Sequence, residues 1–378
     1  MELILTLDVG TTSVKACLFD RQLRQTALTS REYALQTRGV CAEAEAQVYL
    51  DAAAQCILSL PAEARARVCA VALTTQGETL LCVDRQGKAL RPAIVWLDSR
   101  AEAQAARLAA ALDRQRFYER TGLPELSGAL PLAKLLWLRE QEPESWARTD
   151  KFLLLEDYLM LWLTGRAVTE KSLLTSTGYF DLQSDDYWDE ALALAELDRT
   201  RLPQALACGS IVGPVLPEVA EALGLPASAC VVTGAMDQTA AALAAGCTRP
   251  GTLCETTGTA MVAAAFTAHP QFSEDHHVTI YRHAMPGAYL YLPISNTIGM
   301  SLRWFRDEFC RDLDGGYAAL DRLAEQVPPG ACRIWPGASI PTICRRPPAA
   351  FTGCGCPAQE PPASVRFWRQ RPSSCAIF

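Results

Sequence analysis

Three short stretches gather the residue types that phosphate and hydroxyl chemistry require. The first is Asp8-Val-Gly-Thr-Thr-Ser-Val-Lys15. A turn at Gly10, Thr11 and Thr12 between two strands would expose backbone N–H groups and hydroxyls at one spot, which suits a phosphate. Asp8, at the end of the first strand, could hold a hydrated Mg2+ ion there, and Lys15 could neutralise phosphate charge from the second strand. Taken alone, the motif reads more readily as an ordinary hairpin turn, since Gly, Thr and Asp are common turn residues. The second stretch, Val231-Val-Thr-Gly-Ala-Met-Asp237-Gln238 with the Ala-rich run to Gly246, reads as strand, tight turn and helix. Asp237 falls at the helix N-terminus, where the dipole stabilises a carboxylate. It reads as a plain N-cap or as a general base taking a proton from an attacking hydroxyl, and the two roles do not exclude each other. The third gathers Gln76, Glu78, Trp96, Asp98 and Arg100 at two successive strand ends. Donors, acceptors and a ring face are what a polyhydroxylated ligand requires, although solvated turns with a snorkelling arginine would look the same.

The elements that must position these groups follow from periodicity. Leu3, Leu5 and Leu7 alternate in a strand, Val14 to Phe19 resume it, and Gln25 to Tyr33 predicts a third; Val68–Thr74 and Thr79–Val83 follow an Ala-rich helix. Arg100–Leu112, Leu132–Gln141, Phe152–Leu163, Thr297–Phe309 and Tyr317–Gln326 predict helices, so the chain is of the α/β class. At an offset of 248, Thr256 to Phe266 repeats four of the eleven residues of Asp8 to Leu18, pairing Gly10 with Gly258 and Thr11 with Thr259. This repeat implies a duplicated two-domain protein whose halves open with the same hairpin, two of which can grip a nucleotide triphosphate.

Composition limits the alternatives. The chain has 378 residues, 49% hydrophobic and 20% charged, enough for two or three domains and a sizeable core. A net charge of −7 gives no basic footprint for nucleic acid. Phe152–Leu163 is too short and, through Glu156 and Asp157, too charged to span a membrane. MELILTLDVG has no basic n-region, so a cytoplasmic protein is expected. The fifteen cysteines form no CxxC pair and read as small core residues, while the four histidines fall in one stretch expected at the surface. Residues 332–378 differ from the rest, with eight prolines, five cysteines and six arginines against the single acid Glu360. No hydrophobic periodicity continues beyond Trp335.

Together the motifs resemble the FGGY carbohydrate kinases, within the actin/Hsp70/hexokinase-like superfamily. The resemblance covers about residues 3 to 335 and rests on Asp8 to Lys15, Gln76 to Thr79, Pro92 to Arg100, Pro131 to Glu140, Gly234 to Gln238 and Thr257 to Thr259. It implies two ribonuclease-H-like (actin-like ATPase) domains around a cleft, the second incomplete: residues 1–247 as N-terminal domain, 248–335 as partial C-terminal domain and 336–378 as an aberrant tail. By position it implies Asp237 as base, Asp8 on the Mg2+ side of the ATP phosphates, and Gly10, Thr11, Thr12 and Lys15 as the first phosphate loop. Gly258 and Thr259 would form the second, and Gln76, Glu78, Trp96, Asp98 and Gln238 would line a sugar pocket. The implied partner is a small sugar or polyol, with neither nucleic acid nor membrane, and a homodimer is allowed.

The run Arg91 to Trp96 is most similar to xylulokinase-like members, whereas Glu78 and Asp237-Gln238 match the glycerol kinase pattern and Gly77 matches neither. A ketopentose such as D-xylulose, or a small polyol, is therefore the expected substrate. The family's Gly-rich adenine loop and late signature are not found, and the tail has the composition of an out-of-frame translation, with the shift expected between Trp335 and Arg346. An active kinase, an inactive sugar-binding fragment and a regulatory or chaperone-like ATPase are the competing readings. Asp237 with the Gln76 and Glu78 pocket disfavours the last.

Overall fold

The computed structural model describes residues 2–257, 261–274, 277–295, 298–310, 314–326, 333–335 and 350–352. Two compact units divide the chain, one of residues 1–254 and 264–292, the other of residues 255–263 and 293–378. In the first unit, Leu3, Leu5, Leu7 and Val9 alternate with half-exposed residues along β1 (Leu3–Val9), the period-2 pattern of a strand with one face on the core. β2 (Ser13–Phe19) and β3 (Gln25–Glu32) extend it antiparallel, as expected from the opening residues. After helix α1 (Ala46–Leu58), β4 (Val68–Thr75) returns parallel to β1. β5 (Ile211–Pro214) and β6 (Cys230–Met236) complete a sheet of order β5-β6-β4-β1-β2-β3, in which β6 is parallel to β4 and β5 is the antiparallel edge. Setting the edge strand β5 aside leaves the five-strand order of a ribonuclease-H-like domain.

Register places the chemistry. Val9 stands opposite Thr75, and Thr75 opposite Met236, so three parallel strands end in one row. The residues that follow, Gly10, Gln76 and Asp237, therefore leave the sheet at the same edge. Carboxyl ends of parallel strands are where α/β sheets offer their ligand crevices.

A second sheet runs in the order Gln36–Arg38, Cys41–Ala44, Ala93–Ile94, Leu80–Val83, Lys151–Leu154 and carries Glu78 and Trp96 at its strand ends. Lys151–Leu154 corrects the expected helix Phe152–Leu163: Phe152, Leu153 and Leu154 pair with Cys82, Leu81 and Leu80, and helix α2 spans Leu155–Thr164. The reason is a cap, for the Asp157 carboxylate accepts the Leu154 N–H at 2.7 Å and starts the helix one residue later.

In the second unit Met261 and Val262 pair antiparallel with Ser295 and Ile294. Helices Ile298–Phe309 and Gly316–Ala324 follow near their expected bounds, with the Arg306 guanidinium 4.5 Å from the Tyr317 ring centroid. Arg333–Trp335 and Ala350–Thr352 are antiparallel partners. The expected shift of frame falls at residues 335–346, of which all beyond Trp335 lie outside the described residues.

Two composition-based expectations need correction. His283 is buried at 2% exposure, its Nε2 3.0 Å from the Cys247 carbonyl, and His277 is half-buried and stacked on Tyr118. Of the described cysteines only Cys56, Cys82 and Cys247 are fully buried. Among the described residues no helix is long and apolar enough to cross a membrane.

Candidate active site

The turn after β1 is closed by a Gly10 N–H to Ser13 carbonyl bond of 3.0 Å. It is tied down from two sides, by the Tyr33 hydroxyl on the Gly10 carbonyl and by Trp96 Nε1 donating to Thr11 Oγ1 at 2.9 Å. Thr12 is exposed at its tip. Asp8 and Lys15 face each other across the hairpin register, Nζ 3.3 Å from Oδ2, both well exposed. The Asp8 carboxylate is thus ion-paired to Lys15 at the exposed rim of the turn. Among the described residues no cluster of three or more His, Cys, Asp or Glu forms a protein-only metal cage.

At the neighbouring strand end the Gln76 N–H donates to the Val9 carbonyl at 3.0 Å, which aims its side chain beside the turn. Gln76 is 3% exposed, and both its amide oxygen and its amide nitrogen lack a hydrogen-bond partner within the protein. The Tyr49 hydroxyl lies close to this amide but without hydrogen-bond geometry. A sealed, unpaired amide costs about 1–3 kcal/mol per group, a cost that the surrounding protein does not offset with a hydrogen bond.

Gly77 and Glu78 form a tight γ-turn, with the Thr79 N–H on the Gly77 carbonyl at 2.7 Å and Glu78 at φ 58°. That left-handed conformation is strained for a residue with a Cβ, and such strain gathers at ligand sites. Burial pushes the Glu78 carboxyl up from its ordinary value; Lys134 opposes this, as do the nearby Ser176 and Tyr281 hydroxyls, and the Asp237 charge adds to it. Lys134 is itself fully buried on the helix Pro131–Gln141 and pushed down by burial, donating to the Val95 and Glu78 carbonyls at 3.0 and 3.3 Å. Neither Lys134 nor Tyr281 was singled out as a site residue by sequence. For Lys134 a signal exists, a lone cation inside the apolar run Pro131 to Leu138.

Asp98 is fully buried, with both oxygens occupied by the Arg100 guanidinium at 2.6–2.9 Å and by the Ala42 and Arg100 amides. Burial works against its charge, but these partners hold its carboxyl below the ordinary range. Arg100 also reaches Glu43, which binds Arg91, and it lies over the Trp137 ring. Asp98 thus fastens the loop that presents Trp96.

Asp237 is the first residue of helix α3 (Asp237–Ala244), and Met236 occupies the capping position. Its Oδ1 accepts the Gln238 N–H at 2.6 Å. Burial, followed by the negative charge of Asp8, raises its carboxyl to about 6. The expected tight turn before it is absent: β6 runs unbroken to Met236, with a slip in register between Val232 and Ala235. The structure therefore brings Asp8, Gly10, Thr11, Gln76, Glu78, Trp96, Asp237 and Gln238 to one edge of the first unit, with Thr12 and Lys15 on its solvent side. Gly258 and Thr259 lie outside the described residues, between strands Leu253–Thr257 and Met261–Thr267.

The chain is similar to known proteins over most of its length. The profile of the FGGY family of carbohydrate kinases, N-terminal domain, matches residues 3–244. The chain is 30% identical over 318 residues to a xylulose kinase of Lactococcus lactis, covering 83% of this chain and 63% of the relative. It is 27% identical to a gluconokinase of Bacillus subtilis, covering 87% of this chain and 66% of the relative. The chain thus spans about two thirds of the length of the curated relatives it matches. The crystal structure of xylulose kinase from Rhodospirillum rubrum superimposes with a TM-score of 0.84 at 27% identity, over 97% of this chain and 75% of that one. Glycerol kinase from Plasmodium falciparum shares the fold, with a TM-score of 0.81 at 19% identity. A family profile that fills most of the first unit, and a relative 30% identical over 318 residues, make this chain a member of the FGGY family of carbohydrate kinases.

Proposed function

We propose that the protein transfers the γ-phosphoryl group of ATP to a hydroxyl of a ketopentose such as D-xylulose or of a small polyol, with Asp237 as the general base. The observation that carries this reading is the Asp237 carboxylate, raised to about 6 by burial and set on the same edge as the unpaired Gln76 amide. A base works best with a value just below the operating pH, ionised yet still able to hold a proton. In this reading residues 1–247 hold the sugar and the first phosphate loop, and 248–335 the second.

Gln76 and Gln238 take the sugar hydroxyls, Glu78 accepts a further one, and Trp96 covers a C–H face. Asp98 contributes by holding that tryptophan rather than by touching the sugar. Gly10, Thr11, Thr12 and Lys15 receive the phosphates as the first loop, and Gly258 and Thr259 supply the second. Asp8 would hold a hydrated Mg2+ ion, which would supply charge neutralisation to the phosphates. Asp237 Oδ2 keeps the acceptor role, because Oδ1 is fixed by the Gln238 amide.

The test is a coupled ATP assay over D-xylulose, glycerol and gluconate beside binding of each without ATP. Turnover of one supports the kinase; binding without turnover makes the chain a sugar-binding fragment. Where turnover is found, its pH profile follows from the raised value. The base acts ionised, so kcat/KM should rise tenfold per pH unit below about 6 and level off above it. A profile flat down to pH 4.5 removes Asp237 from that role.

Replacing Gln76 by leucine should move stability and affinity in opposite directions. Leucine fills nearly the same volume without the orphaned amide, so the melting temperature of the free protein should rise. Sugar affinity should fall about tenfold or more as the ligand loses two partners. Calorimetry for the first and equilibrium binding for the second decide it, and unchanged affinity removes Gln76 from the pocket.

A further inference from the structure

The last residues of β6 are held in an unusual way. Its outer neighbour β5 pairs from Pro214 to Ile211 opposite Cys230 to Val232, and Gly209 and Ser210 just before it exchange backbone bonds with Thr233 at 2.9 and 3.0 Å, where the pairing stops. Two amides remain between that point and Asp237 with no strand to receive them. Gly234 N–H donates to Glu156 Oε1 at 3.1 Å, and Met236 N–H donates to Ser172 Oγ at 3.1 Å. Ser172 Oγ in turn donates to Glu170 Oε2, an oxygen that also accepts the Ser172 and Leu173 amides at 2.8 and 3.3 Å. Glu156 stands in the first turn of α2, and Glu170 caps the short helix Lys171–Leu174. Glu156 and Ser172 are 0% exposed and Glu170 is 2% exposed.

A buried carboxyl is costly, and a valine or leucine would fill the same space at less expense. A plain structural filler therefore leaves these groups unaccounted for. Burial, then the charges of Glu170 and Asp157, drive the Glu156 carboxyl well above its ordinary value, which favours the neutral acid, and its Oε1 accepts the Gly234 amide as an amide oxygen would. Burial likewise raises Glu170, to about 7. The two acids and the serine act as a replacement for the missing strand.

We infer that Glu156 and Ser172 are positioning residues: a side-chain clamp on the Gly234 and Met236 amides that fixes where β6 ends and hence where the Asp237 carboxylate stands. The inference rests on the reading of Asp237 as the base. Holding a proton acceptor in place matters because a displacement of about 1 Å can cost about 10²-fold in rate. The clamp acts on kcat and not on sugar binding, since none of its atoms was placed in the sugar pocket.

The experiment compares the full chain with Ser172→Ala, Glu156→Ala and Glu156→Gln. Site-resolved amide hydrogen exchange is read at Gly234, Met236 and Gln238, and kcat and KM are measured with ATP and D-xylulose or glycerol. Ser172→Ala should speed exchange at Met236 and also at Gln238, whose amide is bonded to Asp237. Its kcat should fall about tenfold or more with KM within about twofold. Glu156→Gln keeps the acceptor and should exchange and turn over like the wild type, whereas Glu156→Ala should release Gly234. If Glu156→Ala does not fold, Ser172→Ala and Glu156→Gln decide alone. Faster exchange with unchanged kcat overturns the positioning role, and so does exchange that stays the same at all three amides. A wild-type chain that phosphorylates neither probe refutes the kinase reading separately. The clamp is then upheld if Gln238 is released in Ser172→Ala, and rejected if its protection is unchanged.

Discussion

An Asp237→Asn protein should lose about 10²–10⁴-fold in kcat while its sugar dissociation constant stays within about twofold of the wild type. The substitution is nearly isosteric. Asparagine Oδ1 can still accept the Gln238 amide that now lies 2.6 Å from the carboxylate, so the start of α3 is kept. What it removes is the lone pair that takes the proton and the charge that Asp8 and Glu78 sense across the site. Loss of that charge relieves two neighbouring acids, so the variant should be no less stable than the wild type. A fall in kcat then has no structural explanation. The measurement is steady-state kinetics on the preferred sugar beside calorimetric binding and thermal unfolding of the same samples. A kcat within a factor of about three of the wild type assigns the proton to another acceptor, with Glu78 next in line.

How much of this was legible in the sequence depends on distance along the chain. Asp8 and Asp237 could be singled out because punctuation is local: a strand breaking into Gly-Thr-Thr, a strand running into an Ala-rich helix. That they share an edge could not be read, because it follows from the register of β4 between β1 and β6, set by pairing over 60 and 160 residues. The same holds for Glu156 and Ser172, which reach β6 from 78 and 64 residues away. Asp98 shows the same dependence on distant partners. Its neighbourhood of Trp and Arg reads as a sugar pocket, yet its oxygens are consumed by the Ala42 amide and by Arg100. Phe152–Leu163 was misread because period alone does not separate a buried strand from a buried helix, and the Asp157 cap that divides them looks like one more charge in the run. His283 was misplaced for a related reason, since a histidine next to a surface-like stretch carries no mark of the Cys247 carbonyl that it meets after folding.

Gly234 joins stability to the site, and its replacement by alanine is the second large effect expected. Read in sequence it belongs to a turn; in the structure it lies inside β6 where that strand crosses β4. A Cβ at Gly234 would stand 1.4 Å from the Leu73 carbonyl oxygen and 2.6 Å from its carbon. Both are backbone atoms of the paired strand, so no rotamer change can make room. The two strands must part at this point, which breaks the pairing of Ala235 and Met236 with Thr74 and Thr75 and strips the Gly234 amide from Glu156. Such a close backbone approach belongs to the severe class of substitution, about 4 kcal/mol or more. For a chain of this size that lowers the melting temperature by roughly 5 °C or more. Gly77→Ala supplies the control. Its Cβ would meet Ser176 Oγ at 3.0 Å and Met236 Sδ at 3.3 Å, side-chain atoms that can give way, so its melting temperature should fall by only about a quarter as much. Differential scanning calorimetry on the two variants separates the cases. A Gly234→Ala protein melting within about 2 °C of the wild type would mean that β4 and β6 do not approach as described, and that the row of strand ends placing Gln76 beside Asp237 is wrong.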